Sequence, residues 1–158
     1  MIFVSIQNRK VRYEAANAFR ELCDDITEAG LELKLISAYR SYATQEFLYN
    51  NYVEKDGVEK ADLYSARPGH SEHQLGLALD FTSGKGNLQG FQYSEEFQWL
   101  EDNHYKYGFI LRYPKGKEYI TGYQYEPWHY RYVGLEIAEF IYNNDLTYDE
   151  YYIKYIDR

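Results

Sequence analysis

Four histidines, His70, His73, His104 and His129, are the side chains of this sequence that titrate near neutral pH and can also ligate a metal. Two of them sit in polar, glycine-punctuated company. His73 lies in Ser71-Glu-His73-Gln-Leu-Gly76-Leu-Ala-Leu-Asp80, and His129 closes Glu126-Pro-Trp-His129. A catalytic metal site needs neutral imidazoles and a carboxylate converging on one point, with a position left open for water. His73 and Asp80 are seven apart, which puts them on opposite faces of a regular strand. They converge only if His73 lies in a loop that turns into the strand near Gly76, where glycine makes the turn cheap. His129 then supplies a third ligand from a neighbouring strand. Glu126 precedes a proline and is disfavoured in a helix, so it falls in an extended stretch. From there it can reach a metal-bound water without ligating the metal. HExxH is absent, which excludes the thermolysin arrangement.

The same residues have plainer readings. A histidine beside a strand is more often a hydrogen-bonded structural residue than a ligand. An ExxH pair is weak by itself, and Asp80 at a strand end serves equally as a turn cap. Arg40 reads as a solvated strand-end residue. His70 is too close to His73 in a loop to act as a ligand, and His104 falls on an amphipathic helix; both are expected to be non-ligands. Trp128 is expected to pack beneath the metal site, a wall of the substrate groove being the alternative.

The elements that must position these groups follow from periodicity. Ala15, Ala18, Phe19, Leu22, Cys23 and Ile26 recur at helical spacing, and Gly30 stops the helix. Leu31, Leu33 and Leu35 alternate with Glu32 and Lys34, predicting a half-buried strand that runs into Ser37-Ala-Tyr-Arg40. Thr44 is the predicted cap of a helix through about Val53, and residues 75–81 read as a central strand. Ser94 followed by two glutamates opens a helix that Gly108 ends. Phe109–Tyr113, a Pro-Lys-Gly turn and Glu118–Thr121 read as a hairpin. A last strand or loop holds Tyr125–Val133. Helices follow from Leu135 and from Thr147, the second with a Thr147-x-x-Glu150 capping box. Helices flanking a small, mainly antiparallel sheet define an α+β class.

Composition bounds the rest. The 158 residues are read as a single domain with a sizeable core. Seventeen Lys and Arg against 25 Asp and Glu give a net charge of −8. That sign, with no basic cluster, argues against nucleic acid as a partner. No apolar run approaches the roughly 18 residues of a membrane span. Cys23 stands alone, excluding an internal disulfide and any multi-thiolate metal site. Twenty tyrosines inflate the apolar fraction, and the mean hydropathy of −0.67 fits a folded, soluble chain. Met1-Ile-Phe-Val-Ser lacks the features of a secretory signal. The expectation is therefore the bacterial cell envelope if an upstream leader has been removed, and the cytoplasm otherwise.

Ser71-x-His73-x-x-Gly76-x-Ala78-x-Asp80, followed some fifty residues later by Glu126-x-x-His129, resembles the paired signature of the D-alanyl-D-alanine metallocarboxypeptidases. That group also contains the lysostaphin-type peptidases and the hedgehog signalling domain. The resemblance is closest to the vancomycin-resistance-type D,D-carboxypeptidases and D,D-peptidases. It extends to Ser37-Ala-Tyr-Arg-Ser-Tyr-Ala-Thr-Gln45, Pro68-Gly-His-Ser-Glu-His-Gln74, Tyr107-Gly-Phe-Ile-Leu-Arg-Tyr-Pro114, Ile120-Thr-Gly122 and Tyr125-Glu-Pro-Trp-His-Tyr-Arg-Tyr-Val-Gly134. These blocks keep their order over roughly residues 11–155. One departure is that members usually carry a further N-terminal segment, leader or anchor.

The resemblance implies a hedgehog-like D-Ala-D-Ala-peptidase fold with one Zn²⁺ held by His73, Asp80 and His129. It implies Glu126 as the catalytic base and Arg40 facing the reacting carbonyl or the substrate carboxylate. Gln45 and Ser71 would line the substrate site. The implied partner is a peptidoglycan stem peptide or a D-Ala-D-Ala-terminated precursor, from which terminal D-Ala is removed; cleavage of the dipeptide itself is a possible extension. An L,D-carboxypeptidase or an L-Ala–D-Glu endopeptidase would use the same machinery. Two other classes fit parts of the pattern. A two-His-one-carboxylate iron oxygenase satisfies the ligand count but leaves Glu126 without a task. A non-catalytic domain that keeps zinc for structure is the third.

Overall fold

The computed structural model describes residues 2–157. The chain opens with a hairpin, β1 (Phe3–Ile6) and β2 (Arg9–Arg12), whose turn residues Gln7 and Asn8 both have positive φ. Strands this short carry too little apolar alternation to stand out in the sequence. Helix α1 (Tyr13–Glu28) follows directly and buries Ala15, Ala16, Ala18, Phe19, Leu22 and Ile26 along one face. β3 (Leu33–Ser37) starts two residues later than the alternation predicts.

Helix α2 (Tyr42–Asp56) is capped by Ser41, not Thr44. The Ser41 hydroxyl accepts from the Thr44 backbone N–H, so Thr44 is the third residue of the first turn. A short helix α3 (Val58–Ala61) ends this segment. Glu72–Leu75 form a single 3-10 turn, and β4 (Ala78–Ser83) begins after it rather than at Leu75. Helix α4 (Glu95–Asn103) has Ser94 as its cap, as expected. His104 lies just past α4, in the 3-10 turn His104–Tyr107.

β5 (Phe109–Leu111) does not form a hairpin with the segment after the Pro-Lys-Gly turn. Glu118–Thr121 is instead a helical turn, α5, and β5 pairs with β6 (His129–Tyr132). The alternation in Glu118–Thr121 is too short to distinguish strand from helix. Helix α6 (Leu135–Asn143) and helix α7 (Tyr148–Tyr151) follow, α7 carrying the full Thr147–Glu150 capping box and running into a π-helical turn over Tyr152–Ile156. No helix among the described residues is long and apolar enough to cross a membrane.

β3, β4, β6 and β5 form one antiparallel sheet in that order. Because side chains alternate across a strand, each strand divides its residues between two faces. Leu79 and Phe81 of β4, Leu33 and Leu35 of β3 and Tyr130 of β6 enter the main core with Phe19, Leu22, Phe97 and Leu100 from the helices. Phe81 stacks on Tyr130 with ring centroids 4.5 Å apart. The opposite face carries Asp80 and His129, which stand opposite each other in register, with Ser37 next to Asp80 on the other side. The core fixes the sheet, and the sheet register fixes a row of polar side chains on its other face.

Candidate metal centre and active site

Gly76 adopts a left-handed backbone, φ +68°, between the 3-10 turn and β4. That is the turn the seven-residue spacing requires. A β-carbon there would collide with the ring of Phe3 in β1, so a side chain at 76 would have to displace that ring as well as strain the backbone. His73 is thereby folded back over the sheet. Its Nε2 lies 3.2 Å from Asp80 Oδ2, and His129 Nδ1 lies 3.1 Å from Asp80 Oδ1. The ligand atoms of all three buried residues lie within 4.8 Å of one another, a spacing that could hold a metal ion.

The donor set fits zinc on its own chemistry. His73 Nδ1 is 2.7 Å from the Ala38 carbonyl oxygen, which only an Nδ1–H can satisfy, so Nε2 is the ring atom left to face Asp80 and, in the neutral imidazole, to ligate an ion. Asp80 Oδ1 is buried without a hydrogen-bond partner among the described residues. Two imidazoles and one carboxylate with room for a fourth ligand is the composition of a catalytic zinc site. Burial opposes charge on Asp80, but His73 and His129 outweigh it and hold the carboxyl well below the usual range. Burial also disfavours the cationic form of His129, and Asp80 and Glu72 outweigh that in turn, raising it.

Glu126 sits in an extended loop ahead of Pro127, as its place before a proline requires. Its Oε2 is 3.6 Å from His129 Nδ1. Burial pushes its pKa up to about 7, with the Asp80 charge adding to the rise and His129 and Arg40 opposing it. A carboxylate near neutrality beside a metal-ligand cluster is suited to accept and return a proton.

Arg40 follows β3. Its backbone N–H donates to His73 O at 3.1 Å, and its Nη2 is 3.9 Å from Asp80 Oδ2. The guanidinium donates to Gln45 Oε1 at 2.7 Å and to Ser37 Oγ at 3.1 Å. Gln45 is fully buried behind it, and its amide donates to Ala66 O and Ser65 Oγ. Both ends of Gln45 are occupied within the protein; it touches the site through Arg40. Ser71 is buried and lines the cavity over the cluster, along with Arg40, Glu126, Tyr113, Tyr123 and Trp128. That cavity holds about 340 Å³. Trp128 is half-buried against the main core and also forms a wall of the cavity.

His70 is exposed and outside the cluster. His104 is buried elsewhere, its Nδ1 2.7 Å from Phe109 O, and burial pushes its pKa down to about 4.

The sequence reading passed over Glu72, Arg112, Arg131 and Tyr113. Glu72 Oε1 accepts from Arg112 Nε at 2.8 Å and lies 3.2 Å from Arg131 Nη1. Arg112 in turn makes a two-pronged pair with Asp149, at 2.6 and 3.1 Å. Burial raises the Glu72 carboxyl, but His129 and the two guanidiniums outweigh it and hold it well below the carboxylate range. Tyr113 packs its ring 4.9 Å from that of His129. Glu72 had one signal, an acidic residue directly before His73; the partners 40 and 37 residues apart had none.

This zinc-compatible cluster on a one-faced antiparallel sheet defines a metallopeptidase-like site, and the comparisons place it. The sequence matches the VanY family, described as D-alanyl-D-alanine carboxypeptidase, over residues 8–135, and the chain belongs to that family. The Bacillus subtilis protein YodJ is 48% identical over 155 residues, covering 94% of this chain and 56% of that one. An Enterococcus faecalis D-alanyl-D-alanine carboxypeptidase is 38% identical over 141 residues, 84% of this chain and 52% of that one. The chain thus spans little more than half the length of these curated relatives.

Among solved structures, the LdcB LD-carboxypeptidase superposes with a TM-score of 0.88 at 47% identity, over 96% of this chain and 72% of that one. VanYB in complex with D-alanine-D-alanine gives 0.87 at 32%, over 98% and 90%. A variant of the vancomycin-resistance D,D-pentapeptidase VanY in complex with Zn(II) gives 0.84 at 33%, also over 98% and 90%. The α+β, hedgehog-like peptidase fold expected from the motifs is the fold of these neighbours.

Proposed function

We propose that the protein is a zinc-dependent carboxypeptidase that removes the terminal D-alanine from peptidoglycan stem peptides or their precursors. One observation carries this reading: the ligand atoms of His73, Asp80 and His129 lie within 4.8 Å of one another, and Glu126 Oε2 stands 3.6 Å from His129 Nδ1. His73 Nε2, His129 Nδ1 and an Asp80 carboxylate oxygen would hold the ion. Bound zinc supplies Lewis acidity and lowers the pKa of a coordinated water from 15.7 to about 7.

Glu126 takes the proton from the attacking water and delivers it to the leaving amine of D-alanine. Its raised pKa suits both halves of that transfer, which general acid–base catalysis makes worth roughly 10²–10⁴-fold. Arg40 brings a fixed positive charge to the cavity, where it pairs with the substrate carboxylate or with charge developing on the carbonyl oxygen. Ser71 offers a hydroxyl to the same substrate, and Gln45 holds the Arg40 guanidinium. An iron oxygenase would leave the buried Glu126 without a task.

A second reading concerns the residue before the scissile bond. LdcB, an LD-carboxypeptidase, is 47% identical, against 32% for VanYB, and this favours tetrapeptide stems, cut by L,D-carboxypeptidase action, over pentapeptides. Mature wall as substrate places the work in the cell envelope; a precursor places it in the cytoplasm. The test is incubation of zinc-loaded protein with pentapeptide and tetrapeptide stems, products being read by mass. Loss of one D-alanine from the pentapeptide supports the D,D reading, and loss from the tetrapeptide alone supports the L,D reading. No D-alanine from either stem rules out the carboxypeptidase.

A further inference from the structure

Two buried polar atoms face each other without a partner among the described residues: Glu72 Oε2 and His129 Nε2, 3.7 Å apart. We propose that Glu72 is the positioning residue of His129, accepting an Nε2–H···Oε2 hydrogen bond that holds the ring with Nδ1 turned toward Asp80. The inference rests on the reading of His129 as a zinc ligand and adds what orients it.

The argument is one of donors and acceptors. His129 Nδ1 lies 3.1 Å from Asp80 Oδ1 and faces the ligand cluster, so Nδ1 must carry a lone pair when an ion is bound. The proton of the neutral imidazole is then on Nε2, which is buried and needs an acceptor. Glu72 Oε2 stands 3.7 Å from it, and a shift of less than about 1 Å brings the pair to ordinary hydrogen-bond length. Glu72 cannot turn away, because Oε1 is fixed by Arg112 Nε at 2.8 Å and by Arg131 Nη1 at 3.2 Å. Arg112 is itself clamped by Asp149. Arg131 projects from the same face of β6 as His129, two residues on, so the strand that carries the ligand also carries part of its support. The result is a relay of fixed groups, Asp149 to Arg112 to Glu72 to His129. Its task is to set a tautomer.

Glu72→Gln tests this with almost no change of shape. The amide oxygen is needed by the two arginines, so the NH₂ group is forced toward His129 Nε2. That favours the tautomer with the proton on Nδ1, the atom the ion needs. Zinc affinity, measured by competition with a chelator, should fall about 10–100-fold. Ser94→Ala, which removes the cap of α4 and touches no member of the relay, should lower thermal stability yet leave zinc affinity within about twofold. The parent protein provides a check that does not depend on any variant folding. In ¹⁵N spectra of the zinc-loaded parent, His129 should show a protonated, exchange-protected Nε2 and a metal-bound Nδ1. A Glu72→Gln protein that binds zinc as tightly as the parent overturns the proposal, as does a parent whose His129 is metal-bound through Nε2. A parent that binds no zinc at this cluster removes the metal-site reading itself, which is a separate failure.

Discussion

Gln45 receives the Arg40 guanidinium at 2.7 Å and is anchored from behind by Ala66 O at 2.6 Å and Ser65 Oγ at 3.2 Å. A long, flexible cation at the mouth of a cavity is thereby given one direction. Gln45→Ala strands the Ala66 carbonyl and leaves Arg40 with Ser37 Oγ as its remaining hydrogen-bond acceptor. Unsatisfied buried partners cost about 1–3 kcal/mol, so urea unfolding should show a loss of that order. kcat/KM for a D-alanine-terminated stem should fall as well. Full retention of kcat/KM would mean that Arg40 needs no such support.

Glu126→Gln removes the proton acceptor while keeping the volume of the side chain. It should fold, bind one zinc by metal analysis, and hydrolyse roughly 10²–10⁴-fold more slowly. A variant as active as the parent would remove Glu126 from the mechanism.

Zinc binding should release protons near pH 7. Burial leaves Glu126 in the metal-free protein titrating at about 7, and Asp80 and Glu72 outweigh burial in drawing His129 toward its protonated form. A divalent charge disfavours both protons. Calorimetry at pH 6.5 in buffers of different ionisation enthalpy should show proton release, and less of it for Glu126→Gln. Equal release from the two proteins would contradict a raised Glu126 pKa.

His104 gives a stability effect of its own. Its folded pKa is about 4, pushed down by burial, against 6.5 in the unfolded chain. The unfolded state therefore binds a proton that the folded state refuses, and stability falls as pH drops from about 6.5 toward 4. His104→Gln lacks this titration. The stability advantage of the parent over the variant should shrink through that window in the zinc-loaded proteins. A difference that stays constant with pH would show that His104 titrates normally.

The Tyr130 hydroxyl is buried with no hydrogen-bond partner among the described residues, although its ring stacks on Phe81. Tyr130→Phe keeps the stack and drops the orphaned group. Thermal unfolding should occur at or above the parent's temperature. A clear drop would reveal a partner for the hydroxyl, such as a buried water.

The ligand cluster was legible because each member left a local trace. His73 and Asp80 needed a left-handed turn between them, and Gly76 marked where it falls; Glu126 was kept out of helix by the proline behind it. Helices α1 and α4 showed through an apolar stripe and a serine cap. Some four-residue pieces without a cap or turn signal of their own were not legible, because so short a pattern fits strand and helix alike. Hence the missed β1–β2 hairpin and the misread Glu118–Thr121 turn. Gln45 was expected to line the substrate site, but its side chain faces Arg40 rather than the cavity, an arrangement no local pattern encodes. The pairing of Arg112 with Glu72 and Asp149 joins residues tens of positions apart, with nothing local to announce it.

The opening hairpin is stitched to the turn that bears His73. Arg12 N–H donates to Gly76 O at 3.0 Å, Tyr39 N–H donates to Lys10 O at 2.9 Å, and the Phe3 ring fills the space a side chain at position 76 would need. The hairpin Phe3–Arg12 is thus a brace for one wall of the cavity. Because Val11 of the same hairpin is buried in the main core, trimming these residues, or pulling on them, would loosen the His73 turn and the hydrophobic interior together.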